Sequence, residues 1–324
     1  MPETSKVILR SVADRPLTEV MEELLKFCHW DTWLKPGDTV VIKPNCCTAV
    51  AEIVQSANTD VVLVEELCKV LLTRTKNVFV GESGHLRQNP WQAFAASGYD
   101  EMAKRIGVTL VNFSEAPTIG VDLDPVGKIQ MPRQILESDA YINVPVLKTH
   151  AMTYFTGALK NQWGCVPDCR DRLRHHTQIE QLLSSIQALL KPKMNIMDAI
   201  VGMEGRGPVA GPPRRLDLVL ASRDAVALDA TSMRLVGLDP AKARHVAIGG
   251  RRGIGHFAPE EIEVDGDWKA LSTKFDPPPA DFANRAMFFA TQYDWFVKYI
   301  LGNDRVYYPI RDTVKAFRRA IAAK

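Results

Sequence analysis

Thr39-Val40-Val41-Ile42-Lys43-Pro44-Asn45 begins as an unbroken apolar run and ends on charge, proline and an amide. Asn77-Val78-Phe79-Val80, followed by Gly81-Glu82-Ser83-Gly84-His85, repeats that plan. Between them Val61, Val64, Leu67, Cys68, Leu71 and Leu72 recur at helical spacing, which predicts a helix over residues 59–74. Strand, helix, strand, with apolar runs rather than alternation, predicts βαβ units and a mostly parallel sheet covered on both faces. The polar residues then fall at strand carboxyl ends, where open α/β sheets hold their ligands.

The same reading extends outward in both directions. Residues 7–12 form a first strand, and Leu17, Val20, Met21, Leu24, Leu25 and Cys28 a helix capped by Thr18. A helix over 90–106 precedes a strand over 108–113. Residues 140–147 form a strand ending at Lys148-Thr149-His150, and a helix lies around 157–164 before a polar loop over 165–176. A helix over 178–190, a strand over 195–200, a loop over 202–213 and a strand over 216–221 follow. Asp224 caps a helix over 225–235, and Gly237 stands just past its end. The expected architecture is one α/β body, residues 1–276, whose halves (1–139 and 140–276) surround a cleft. Pro277-Pro278-Pro279 separates it from a helical, aromatic and basic appendage over 280–324.

Composition narrows the function classes. The 324 residues are 46% hydrophobic and 24% charged, with net charge +2. That excludes a disordered chain and argues against a dedicated nucleic-acid binder. No apolar stretch approaches the roughly 20 residues of a membrane span, and the start lacks the apolar core of a secretory signal, so a soluble cytoplasmic protein is expected. Its six cysteines are expected to be thiols. The aromatic stretch from Met287 to Ile300 and the basic tail are read as a packing or homo-oligomer surface, with a peripheral membrane surface as the other reading.

The strongest chemical signal is Val144-Pro145-Val146-Leu147-Lys148-Thr149-His150 followed by Thr156-Gly157-Ala158-Leu159-Lys160-Asn161. Two lysines and an imidazole near one strand end suit an anionic ligand or proton transfer. Asp198, Glu204 and Arg206 form a second cluster with nearby glycines, and Asp198 is expected to orient a lysine. Glu82 and His85 make a third. The spacing fits neither a dinucleotide fingerprint nor a serine nucleophile elbow. Cys165 and Cys169 with His175 and His176 are the candidate metal ligands, although the spacing departs from the usual zinc arrangement. Cys46-Cys47 is the other notable thiol pair.

With Thr39–Asn45, Gly81–Gly84, Val144–His150, Thr156–Asn161 with Gly164, and residues 195–211 followed by Asp224 and Asp229, the chain looks like the family called domain of unknown function 362. Many members of that family carry a ferredoxin-like four-iron–four-sulfur module or an export signal; this sequence shows neither pattern. More faintly, Leu147-Lys148-Thr149-His150, Gly157-Ala158-Leu159-Lys160 and His175/His176 resemble the central segment of the lactate racemase family. That family uses a nickel-pincer nucleotide for hydride transfer, and the resemblance implies a positively lined cleft.

The expected function is therefore an enzyme, an isomerase, lyase or oxidoreductase, acting on a small carboxylated or phosphorylated metabolite by proton or hydride transfer. Lys148, His150, Asp198 and Glu82 are the expected catalytic groups. Lys43, Asn45, Lys160, Asn161, Glu204 and Arg206 are expected to bind substrate. The cofactor is open, a divalent metal or an iron–sulfur cluster being the candidates. The alternatives are a metal- or redox-linked accessory protein using Cys46, Cys47, Cys165 and Cys169, and a non-catalytic partner-binding protein.

Overall fold

A computed structural model describes residues 4–85, 88–279 and scattered positions between 289 and 313. Its strands are β1 (Ser5–Ser11), β2 (Val40–Pro44), β3 (Val78–Glu82), β4 (Thr109–Asn112), β5 (Thr118–Leu123) and β6 (Gly127–Pro132), then β7 (Ala140–Val144), β8 (Val146–His150), β9 (Tyr154–Thr156), β10 (Met194–Met203), β11 (Pro213–Ser222) and β12 (Ile262–Asp265). Ten of them build one sheet along the path β12-β1-β11-β10-β7-β2-β3-β4, with β8 and β9 branching from it; β5 and β6 pair separately. Every neighbour on that path is parallel except those of β11. The fold is thus α/β with a mostly parallel sheet, as the apolar runs imply. The two halves of the sequence do not make separate sheets, because β7 pairs directly with β2.

Alternation along the strands divides the interior. Val40 and Ile42 face one core with helices Leu17–Phe27 and Val61–Leu72. Val41 faces the other, against helix Ile179–Leu190. Each such aliphatic side chain contributes about 1.5–3 kcal/mol when fully buried. The pleat that points Val41 to this second side carries Lys43 there too, two residues on. Lys43 is fully buried, so the core ends in a charge.

The strand expected over 140–147 is broken at Pro145, which has no N–H to give a ladder; its carbonyl accepts instead from Asp198 N at 2.8 Å. Beyond the break the sheet forks. β7 lies between β2 and β10, whereas β8 stays beside β10 and takes β9 on its other flank. The opening between the ends of β2 and β8 is where the polar residues collect.

Other expectations shift by local chemistry. The helix over 90–106 is two helices, Pro90–Ser97 and Tyr99–Ile106, divided at Gly98 with φ +81°. Thr18 is not a cap, since the first helix begins at Leu17 behind Pro16; its hydroxyl donates to Glu66 at 2.8 Å. The helix around 157–164 is a single turn, Ala158–Asn161, continued as a tighter turn to Cys165. The polar loop contains a short helix, Cys169–Arg174, capped by Asp168. The loop expected over 202–213 is present as the connection over 204–212, β10 running to Met203 and β11 starting at Pro213. Most of the appendage expected over 280–324 lies outside the described residues.

Candidate functional site

Lys43 leaves β2 pointing into the interior, where only polar partners make a lysine tolerable. Its Nζ donates to Glu82 Oε2 at 2.8 Å, to the Pro44 carbonyl at 3.0 Å and to Asn161 Oδ1 at 3.2 Å. Glu82, at the end of the neighbouring strand β3, also accepts from the backbone N–H groups of Cys46 and Ser83. Gly164 roofs this pair: a Cβ there would stand 2.4 Å from Glu82 Oε1 and 2.7 Å from Lys43 Cε, so only glycine fits.

A row of asparagines runs across the strand ends. Asn45 Nδ2 donates to Asn161 Oδ1 at 2.9 Å, Asn161 Nδ2 to Asn143 Oδ1 at 2.8 Å, and Asn143 Nδ2 to Asn195 Oδ1 at 2.9 Å. Asn195 Nδ2 ends on the Ser222 carbonyl at 3.3 Å. At the other end, Lys148 Nζ donates to Asn45 Oδ1 at 3.0 Å, to the Ala57 carbonyl at 2.6 Å and to Cys47 Sγ at 3.4 Å. Lys148 is almost wholly buried, without a carboxylate among its hydrogen-bond partners.

Lys160 and Asn161 share the single helical turn Ala158–Asn161, and Asp229 anchors it. The buried Asp229 carboxylate accepts from Ala158 N at 2.6 Å and Leu159 N at 3.0 Å. Gly157 leaves room for it, since a Cβ there would lie 2.1 Å from Asp229 Oδ1. Burial raises the Asp229 pKa to about 7 against these two amides. The turn holds the half-buried Lys160 with no hydrogen-bond or ion-pair partner among the described residues. Desolvation by burial, then repulsion by Arg172 and Lys148, lowers its pKa to about 7.

His150 ends β8. Its Nδ1 accepts from Met152 N at 3.1 Å and Thr153 N at 3.2 Å, which leaves the proton of the neutral ring on Nε2. Burial first, then Lys160, keeps its pKa well below that of an ordinary histidine. His176 and His245 are each lowered to about 3, by burial and then by Lys160. His245 is fully buried with both ring nitrogens lacking a hydrogen-bond partner among the described residues. Arg172 gives Nη2 to the Gly84 carbonyl, and its buried Nε has no such partner. Lysines, an arginine and neutral imidazoles thus converge with few acids. Glu82 is already bound to Lys43, and Asp198 is neutralised in part, its pKa raised to about 7 by burial.

The sequence-derived set separates accordingly. Lys43, Asn45, Glu82, Lys148, Lys160 and Asn161 form one bonded or electrostatically coupled cluster, which also includes His150. Asp198 does not orient a lysine: its two oxygens accept the Asp60 and Ile200 amides at 2.7 and 3.0 Å, fastening the start of helix Val61–Leu72. Glu204 is turned to Arg214 Nη1 at 3.1 Å and Asp276 N at 2.9 Å, and Arg206 is exposed on the β10–β11 connection.

The thiol and imidazole candidates are scattered in role. Cys165 is buried against the Tyr141 hydroxyl at 3.4 Å, with its pKa raised to about 11 by burial. Burial likewise raises Cys169, and that of Cys46 well above the ordinary thiol range. His176 stands edge-on to Trp163 with ring centroids 6.5 Å apart, and His175 is partly exposed. All six thiols are free. Among the described residues no three His, Cys, Asp or Glu side chains gather as a metal-ion set. His245 and Asn143 escaped the sequence reading, and Asp229 entered it only through the family resemblance, with no role assigned. His245 has no chemical neighbour in sequence, while Asp229 and Asn143 lie inside apolar runs whose only signal is a polar residue at a buried register.

The family model described as Domain of unknown function (DUF362) matches residues 40–234, more than half of the chain. The chain belongs to the DUF362 family. The matched span runs from β2 through Arg234 and includes Lys43, Glu82, Lys148, Lys160 and Asp229, whereas His245 and β1 lie outside it. A thylakoid-associated protein of Synechocystis sp. is 26% identical over 283 residues, covering 83% of this chain and 86% of that protein. Among solved structures, the lactate racemase apoprotein of Thermoanaerobacterium thermosaccharolyticum is 12% identical at a TM-score of 0.46, covering 71% of this chain and 56% of that one. A Thermotoga maritima protein is 14% identical at a TM-score of 0.42, with coverages of 75% and 60%. This DUF362 chain therefore spans less than two thirds of either solved chain. Among its described residues no helix is long and apolar enough to cross a membrane.

Proposed function

We propose that the protein is a cytoplasmic enzyme that binds a small carboxylated or phosphorylated metabolite and moves a proton on it. One observation carries the reading: Lys160, Lys148 and Arg172 share a desolvated site whose neighbouring carboxylate, Glu82, is already occupied by Lys43. Uncompensated interior cations are costly, and an anionic ligand is what offsets them. Six free thiols agree with a reducing compartment.

The reading favours proton transfer because Lys160, with its pKa lowered to about 7, divides between amine and ammonium at neutral pH. As the amine, Nζ takes a proton from an acidic C–H or O–H of the ligand, and Nζ then returns it. His150 Nε2–H donates a hydrogen bond to the negative charge that develops. Lys148 and Arg172 hold the anionic group.

Titration calorimetry with inorganic phosphate, oxalate, succinate and citrate tests binding. Proton NMR of the carboxylates in D2O tests transfer. The expected outcome is binding of at least one anion and solvent exchange of its acidic C–H, both lost in Lys160→Met. Equal affinity and equal exchange in wild type and Lys160→Met, with folding intact, would remove the basis of the proposal.

A further inference from the structure

Among the described residues the body of the protein covers nearly all its aromatic rings, whereas four rings after Pro279 are displayed. Phe289, Tyr293, Trp295 and Tyr299 are 59, 47, 58 and 57% exposed. Within residues 4–279, Trp91 at 40% is the one ring among the exposed large hydrophobic side chains. The Phe289 and Tyr293 rings meet edge to face at 5.9 Å, four residues apart, and Trp295 and Phe296 meet at 5.8 Å. Rings of this kind on a protein surface expose apolar area at a cost, with polar tips on Tyr and Trp that suit a wet boundary.

Charge follows immediately in the chain. Residues 305–324 hold six basic residues (Arg305, Arg311, Lys315, Arg318, Arg319 and Lys324) and one acid, Asp312. A tail of +5 in a chain of net +2 leaves the other residues at −3, so the positive charge is concentrated beside the rings. Val314, Phe317 and Ile321 recur in it at helical spacing among those cations. Exposed aromatics next to a basic stretch with apolar residues at that spacing match an anionic bilayer surface, which accepts rings at headgroup depth and cations at its potential.

We propose that the segment from Phe289 onward is a peripheral membrane anchor that binds anionic lipid headgroups and holds the α/β body at the bilayer surface. Attachment is interfacial, rings at headgroup depth and cations at the charged surface. The proposal is independent of what the lysine site binds.

The test is co-sedimentation of the full-length chain with phosphatidylglycerol/phosphatidylcholine vesicles and with pure phosphatidylcholine vesicles, at low and high salt. Binding is expected on the anionic vesicles only, weakening as salt screens the surface. Arg318→Glu/Arg319→Glu is expected to lower partitioning at least about thirtyfold. Phe289→Ala/Trp295→Ala is expected to lower it about tenfold. Unchanged thermal melts of both variants establish that the body is intact. Absent binding to anionic vesicles, equal binding to neutral ones, or a chain that sediments as a dimer disrupted by Phe289→Ala/Trp295→Ala would each overturn the anchor.

Discussion

Replacing Lys160 with Met should stabilise the ligand-free protein below neutral pH. In the unfolded chain a lysine keeps its proton to a pKa of 10.5, whereas in the fold Lys160 holds it only below about 7. That difference corresponds to at most about 5 kcal/mol of destabilisation. Because Lys160 is partly accessible and solvent screens it, about 1–2 kcal/mol is expected. Met keeps most of the aliphatic stem, so packing is nearly preserved. The sign follows from proton binding: between pH 7 and 10.5 the unfolded state holds more protons, so the wild type gains stability with rising pH and the Met variant does not gain it here. The variant should therefore be the more stable at pH 6, and the difference should fade toward pH 10. Urea titrations at pH 6, 8 and 9.5 with matched m-values measure this. A variant no more stable than wild type at pH 6, or a difference that does not shrink with pH, would refute the picture of a desolvated, unpartnered ammonium.

Anion affinity should fall as pH rises above about 7, by up to tenfold per unit, because Lys160 loses its proton there; calorimetry with inorganic phosphate between pH 6 and 9 reads it. Gly164→Ala should cost about 3–5 kcal/mol, since the methyl must displace the buried Lys43–Glu82 pair, and a thermal melt would show the loss. Asn143→Leu should cost about 2–4 kcal/mol by stranding the Asn161 amide and the Asn195 carbonyl, measurable by the same urea titration.

The periodicity of the apolar runs made the parallel α/β body legible, because strands covered on both faces must be apolar throughout, as Val40–Val41–Ile42 and Val78–Phe79–Val80 are. Lys148 and His150 were legible for the complementary reason: charge placed directly after such a run has no place in a core unless something there receives it. What escaped depends on pairing between distant strands. Pro145 looked like part of a strand, and only the fork between β8 and β2 shows why a break belongs there. Asp198 looked like a partner for lysine, yet its Oδ2 accepts the Asp60 amide at 2.7 Å, a proximity that no spacing in the chain encodes. His245 is far from the lysines in sequence and enters only because helix Arg244–Arg251 packs against helix Ile179–Leu190 and the turn Ala158–Asn161.

The asparagine row has a polarity. Lys148 at one end can only donate, and the Ser222 carbonyl at the other can only accept, so no amide between them can turn over without breaking two bonds. Each carbonyl oxygen consequently points back toward Lys148, and four side-chain dipoles line up behind its ammonium, with Lys43 joining the row from the side at Asn161 Oδ1. Such a string strengthens along its length as each bond polarises the next. It solvates the ammonium as water would, with oriented dipoles fixed in place, and cancels none of its charge. An acid at Asn45 would form an ion pair and silence the lysine; an amide leaves the full positive field for whatever anion enters.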